Sequence, residues 1–415
     1  MKHMNDIIPR PEYLQRLIRH CSIDLVKIIT GLRRSGKSTL LNLFHEHLLQ
    51  SGIPSENILH MNLESLQYSD LTDHLSFYKY IMERLEKKEQ TYLLLDEIQE
   101  IPMWEKAIES LRLDCDVDIY ITGSNAYMLS AELATLLSGR YVEIRMLPLS
   151  FREFLSFHEF SPSAGIDERF GKYIQFGGMP ILRQCRFNES RSNEALEGIY
   201  STVVLKDILQ KNPWANQSTL EKIIRFLCSN IGNATSPNKI GNILTAEGDL
   251  KGKRKGQSIA GHAVAKYIRA LQDAFVFYHA ERYDIRGKQH LKTLGKEYLV
   301  DIGFRNMLLG YRDMDRGHIL ENLVYLELLR RDYHVFIGKM GEAEIDFIAT
   351  RPQEKLYIQV TETLQSEETR ARELRPLQMV RDNYPKIILT MDRVFLESIE
   401  GIQILNLVDW LAKLP

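Results

Sequence analysis

The stretch Gly31-Leu32-Arg33-Arg34-Ser35-Gly36-Lys37-Ser38 reads G-x-x-x-x-G-K-S, a pattern that needs a strand before it and a helix after it. Both are present. Leu25-Val26-Lys27-Ile28-Ile29-Thr30 is an apolar, strand-like run, and Thr39 to Leu49 is apolar at helical spacing. Gly31 and Gly36 let the backbone bend. The N–H groups of the loop, from Arg33, Arg34 and Ser35 through to Thr39, can then face a triphosphate, helped by the positive end of the helix. Lys37 is expected to reach the β- and γ-phosphates, and the Ser38 hydroxyl to hold Mg²⁺.

A second apolar strand, Thr91 to Leu95, ends in Asp96-Glu97. Downstream of a P-loop this is the Walker B pattern. Asp96 is expected to hold the Mg²⁺ that Ser38 touches. Glu97 is expected to act as general base on the water that attacks the γ-phosphate. The Asp-Glu pair points to ATP hydrolysis rather than transfer to an organic hydroxyl. The next strand, from Asp118, closes with Thr122-Gly123-Ser124-Asn125. Ser124 and Asn125 are candidates for contacting that water or the γ-phosphate; the alternative is a plain turn. Arg140 follows Gly139 and opens a further strand, Val142 to Met146. It is a candidate arginine finger, in its own subunit or in a neighbour's, against the alternative of a surface or salt-bridged side chain. Ahead of the P-loop, Pro9 to His20 has a helical pattern with Tyr13, Leu14, Leu17 and Ile18 on one face. Its Arg10, Arg16 and Arg19 are expected in solvent, with contact to a nucleotide as the alternative. Another helix is expected from about Asp70 to Lys88.

GLRRSGKST, YLLLDEI, ITGSN, LSGRY and PLSFREF (Pro148 to Phe154), in this order and spacing, resemble the AAA-superfamily ATPases of bacteria and archaea that carry a C-terminal domain of unknown function. The resemblance covers nearly the whole chain. It implies an α/β core over residues 1–150 with a parallel sheet in the order 5-1-4-3-2, and ATP with Mg²⁺ as ligands. It also implies a helical lid over 151–210, in which Tyr173 to Pro180 resembles the lid segment.

Residues 211–295 show three helical patterns followed by a hairpin around Asp284 to Lys288, the order of a winged helix. Lys266 and Arg269 on the third helix are candidate contacts to double-stranded DNA. So are Lys251, Lys253, Arg254 and Lys255 in the basic loop before it. A solvated loop or a protein-binding module is the alternative. In residues 296–415, helix, hairpin, strand and helix resemble the PD-(D/E)XK nuclease fold, with Glu321, Asp346 and Gln359 at the matching positions. The run Gln359-Val360-Thr361 has Thr where an active member has Lys, so a degenerate, non-cleaving domain is expected; Lys339 is the one substitute lysine that the hairpin offers.

A length of 415 residues accommodates these units, and the net charge of −2 confines any nucleic-acid surface to local patches. The four cysteines lack C-x-x-C spacing, which argues against zinc and disulfides and fits a reducing cytoplasm. No apolar run reaches the ~20 residues of a membrane helix, and the polar start is unlike a signal peptide. A cytoplasmic chain with no membrane partner is expected. A ring of identical subunits is compatible with Arg140 acting in a neighbour's site; a monomer or dimer is equally so.

Overall fold

The structure is a computed structural model, and it describes residues 8–85, 90–126, 137, 139–246, 261–285, 287, 289–311, 316–393 and 396–413. The chain divides into two units, Met1–Pro148 with Asp273–Phe275, and Leu149–Gln272 with Val276–Pro415.

The first unit runs α1 (Pro11–Arg19), β1 (Val26–Thr30), α2 (Lys37–Gln50), β2 (Ile58–Asn62), α3 (His74–Met82), β3 (Thr91–Asp96), α4 (Trp104–Asp114), β4 (Val117–Gly123) and β5 (Tyr141–Arg145). The five strands form one sheet in the order β2-β3-β4-β1-β5, parallel throughout. Read from the other edge this is the expected 5-1-4-3-2. Alternation along the strands builds two apolar layers. Leu93 and Leu95 face Phe77 of α3 and Ile108 of α4, while Tyr92 and Leu94 face Leu17 of α1 and Phe44 of α2. Helix α3 starts later than expected because Asp73 caps it, and it ends at Met82. The Asp73 carboxylate accepts from Leu75 and Ser76 N–H groups at 2.8 Å each, and the Ser76 hydroxyl returns to the Asp73 backbone.

The second unit begins with helices α5 (Phe151–Phe157), α6 (Ile166–Phe176), α7 (Glu189–Thr202), α8 (Gln217–Ser229), α9 (Pro237–Ala246) and α10 (Gly261–Asp273). Next come β6 (Phe277–Asp284), β7 (Gln289–Leu299), α11 (Ile302–Leu309), α12 (Arg316–Arg330), β8 (His334–Met340), β9 (Ala343–Arg351) and β10 (Glu354–Thr361). It ends with α13 (Glu367–Gln378), β11 (Lys386–Thr390), β12 (Ser398–Ile399), β13 (Ile402–Asn406) and α14 (Leu407–Ala412). Its eight strands form one mixed sheet, β12-β13-β11-β10-β9-β8-β6-β7.

This sheet bears on the expected boundaries. The one at 295/296 falls inside β7, and β6 pairs in parallel with β8, so the hairpin is the edge of the C-terminal sheet. The expected lid segment is also tied into this unit. The Asp301 carboxylate accepts from Gly178 N–H at 2.6 Å and Gly303 N–H at 2.8 Å, and Asn306 donates to the Ile174 and Gln175 carbonyls at 2.8 and 2.9 Å. Burial raises the Asp301 carboxyl to about 7, against the pull of those N–H groups.

Candidate nucleotide site

The site lies where parallel strands β1, β3 and β4 end. Gly31, just after β1, has φ +145°, and a side chain there would meet the Met146 carbonyl oxygen at 2.2 Å. Gly36, at φ +107°, caps α2 and turns the loop into the helix. Lys37 is buried beneath the loop, where its ammonium donates to the Gly31 and Leu32 carbonyls at 2.9 and 3.2 Å. The same ammonium lies 4.0 Å from Glu97 Oε1. Of the other loop residues, Arg33 donates to Glu64 at 3.1 Å, and Arg34, Ser38 and Thr39 are exposed.

Arg10, expected in solvent, is 4% exposed. Its guanidinium donates to the carbonyls of Ser35, Leu147 and Pro148 at 3.3, 2.8 and 3.4 Å, and lies 4.4 Å from the centre of the Tyr13 ring. It therefore braces the loop from outside. Arg19 is exposed as expected.

Thr122, which the sequence reading passed over, joins the two Walker B acids. Its hydroxyl donates to Asp96 Oδ1 at 2.5 Å and accepts the Glu97 N–H at 2.9 Å. That second bond holds Glu97 at φ +54°, a left-handed conformation uncommon for a side chain of this size. The Glu97 carboxylate is then fixed by Ser124, whose hydroxyl donates to Oε2 at 3.2 Å, and by the Gln99 amide. Asn125 is buried beside it in sequence. Burial raises the Asp96 pKa, while hydrogen bonds from Thr122 and Ser38 oppose the rise. The Thr-Gly-Ser-Asn strand end was a usable signal, but it drew attention to Ser124 and Asn125 alone.

The loop residues fit a triphosphate with Mg²⁺. The Ser35 hydroxyl is buried with no hydrogen-bond partner among the described residues, and both glycines hold positive φ, with the Met146 carbonyl so close at Gly31 that a side chain would collide with it. Ser38 and Asp96 are linked hydroxyl to carboxylate, and hard oxygen donors of this kind suit Mg²⁺.

Thr122→Val keeps the branched shape and removes the hydroxyl. Two buried groups then lose a partner, an effect of about 1–3 kcal/mol per group. Hydrolysis is expected to slow about 10–100-fold, the scale for misplacing a reacting group by an ångström. Phosphate release and urea midpoints check this, and an unchanged rate would remove Thr122 from the site.

For Arg140, the register of β5 bears on one of its alternatives, a finger acting in its own subunit. Tyr141 pairs with Val26 and Arg145 with Thr30, so Arg140 sits at the amino end of the sheet while the P-loop follows its carboxyl end. On the order of 20 Å of strand separates them at ~3.3 Å per residue. The exposed Arg140 does not reach the P-loop of its own chain.

The other candidates all lie in the second unit. Lys266 and Arg269 are exposed on α10. Lys251, Lys253, Arg254 and Lys255 lie outside the described residues. Glu321 on α12, Asp346 on β9 and Gln359 on β10 do converge. The Asp346 N–H donates to Gln359 Oε1 at 3.3 Å, and the Glu321 charge acts on Asp346. Lys296 of β7, which the sequence did not single out, donates to Glu321 at 2.9 Å and its charge interacts with that of Asp346. A cavity of about 850 Å³ opens beside Asp346 and Gln359, with Glu344, Glu373 and Arg375 also in its wall.

A parallel 5-1-4-3-2 sheet with a P-loop after β1 and an Asp-Glu pair after β3 defines an AAA-type P-loop protein. Residues 24–155 match the family model described as an AAA domain, and residues 167–315 match a domain of unknown function, DUF8612. An uncharacterized protein of Haemophilus influenzae is 41% identical over 409 residues, 98% of this chain and 99% of that one. The chain belongs with it to one family; in this chain the AAA domain is followed by DUF8612. An uncharacterized protein of Methanocaldococcus jannaschii is 27% identical, over 90% of this chain and 84% of its own. Among solved structures, a Walker-type ATPase of Pyrococcus abyssi is similar in fold, with a TM-score of 0.51 and 14% identity over 74% of this chain and 97% of that one.

Proposed function

We propose that this chain hydrolyses ATP with Mg²⁺ and uses the cycle to drive a switch or motor acting on double-stranded DNA. The observation that carries the hydrolytic half is the Thr122 bridge, which ties Asp96 and Glu97 into one network 4.0 Å from Lys37. Lys37 would exchange the Gly31 and Leu32 carbonyls for the β- and γ-phosphates. Ser38 and Asp96 would hold Mg²⁺, which draws charge from the phosphate oxygens. Glu97, oriented by Ser124 and Gln99, would take the proton from water as its oxygen bonds to the γ-phosphorus and the bond to the ADP oxygen breaks. The fold likeness to a Walker-type ATPase supports this reading.

The DNA half rests on Lys266 and Arg269, exposed on the last helix before the β6–β7 hairpin. If they meet phosphates, replacing both with Glu is expected to weaken duplex binding and reduce the salt slope by about 2, since each phosphate contact contributes ~0.9. Fluorescence anisotropy at several salt concentrations measures it. The anchoring of the hairpin in the eight-stranded sheet favours a second reading, an ATP-gated module that binds a protein. Duplex binding that ignores both residues would leave that reading in place.

A further inference from the structure

Lys296 is 5% exposed, and its ammonium lies 2.9 Å from Glu321 Oε1 and 2.9 Å from Glu344 Oε1. Tyr298, on the same face of β7, donates its hydroxyl to that same Glu321 oxygen at 2.5 Å. Neighbouring acceptors are also committed to protein donors. Asp346 Oδ2 accepts the Val360 N–H at 2.8 Å. The Gln359 amide donates to Glu373 Oε2 at 2.8 Å, and Arg372 donates to Glu373 Oε1 at 2.8 Å.

A nuclease of the fold that Glu321, Asp346 and Gln359 resemble would turn such oxygens toward a divalent metal. The residues present do not fit one. An ammonium already bridges two of the carboxylates, and among the described residues no three His, Cys, Asp or Glu side chains are arranged to hold a metal ion. Burial works against the Lys296 charge, but Glu321, Asp346 and Glu344 outweigh it and raise its pKa. Thr361 stands where an active member of the fold has its lysine.

We propose that Lys296 is an internal cation standing in place of a metal, so that this nuclease-like constellation is an ion cluster pinning the β6–β7 hairpin to α12 and β9, and not a phosphodiesterase centre. Three separate elements supply its charges: Lys296 from β7, Glu321 from α12, and Glu344 with Asp346 from β9. Removing the ammonium would leave Glu321, Glu344 and Asp346 close together with only Arg282, 3.5 Å from Glu344, and His318, 3.8 Å from Glu321, as nearby cationic groups among the described residues, a shortfall of positive charge that a divalent cation relieves.

The test uses the full chain without nucleotide, carrying Asp96→Asn to disable the P-loop metal position. Mn²⁺ is the probe, followed by loss of the free-ion EPR signal and by the thermal midpoint. The parent is expected to take up no Mn²⁺ and to keep its midpoint. Adding Lys296→Met is expected to create a Mn²⁺ site with a raised midpoint, and a further Asp346→Asn to abolish it. Lys296→Arg, which keeps the charge, should behave as the parent. The proposal is overturned if the parent binds Mn²⁺ in a way that Asp346→Asn removes, if it nicks supercoiled DNA with Mn²⁺, or if a cooperatively folded Lys296→Met chain binds none. Should Lys296→Met fail to fold, the parent measured against Asp346→Asn decides alone.

Discussion

Glu97→Gln is expected to lower steady-state ATP hydrolysis by about 10²–10⁴-fold, the usual contribution of a positioned general base. The substitution keeps the size of the side chain and removes its capacity to take a proton. The backbone bond from Glu97 N–H to Thr122 is untouched, so the left-handed turn and the Asp96 contact persist. The P-loop, packed at Gly31 close to the Met146 carbonyl and braced at Ser35 by Arg10, is untouched as well. Affinity for a fluorescent ATP analogue is therefore expected to stay near that of the parent while phosphate release is nearly lost. A variant that hydrolyses ATP normally would remove Glu97 from the chemistry. One that no longer binds nucleotide would show its role to be structural.

Asp118→Ala is expected to be the most destabilising single change in the AAA unit, by about 3–5 kcal/mol, because it leaves a buried ammonium unpaired. Lys27 and Tyr120 are both 0% exposed and Asp118 2%. The Lys27 ammonium donates to Asp118 Oδ1 and, at 2.8 Å, to the Ile23 carbonyl, and lies 5.0 Å from the Tyr120 ring centre. Asp118 Oδ2 accepts from Ser22 N–H at 2.8 Å and Tyr120 hydroxyl at 3.0 Å. The cluster sits at the amino end of the sheet, opposite the nucleotide site. Urea unfolding should show the loss, and pairing Asp118→Leu with Lys27→Met should restore most of it by removing both charges. A double variant as unstable as Asp118→Ala would mean that packing, not the unpaired charge, sets the cost.

What could be read from the sequence follows the range of the interactions. The P-loop and the Asp96-Glu97 pair are local patterns whose neighbours along the chain supply their strand and helix. The order of the sheet came from the family resemblance, because apolar runs say which segments are strands and not which lie side by side. Arg10 illustrates the opposite limit. In an amphipathic pattern it reads as solvated, yet its acceptors are 25 to 138 residues away. Arg140 was placed by its preceding glycine, and only the register of β5 on β1 shows which end of the sheet it occupies. Lys296 was invisible for a similar reason. Its partners Glu321 and Glu344 meet it only once the β6–β7 hairpin joins the C-terminal sheet, a pairing that the winged-helix reading had no cause to expect.

The central claim, ATP hydrolysis coupled to DNA, is tested most directly by steady-state hydrolysis at low salt, with and without double-stranded DNA, beside the Glu97→Gln variant. The expected result is turnover that DNA raises several-fold and that Glu97→Gln abolishes. Turnover indifferent to DNA would contradict the coupling and leave a protein-facing switch, and no turnover under either condition would contradict the hydrolytic assignment itself.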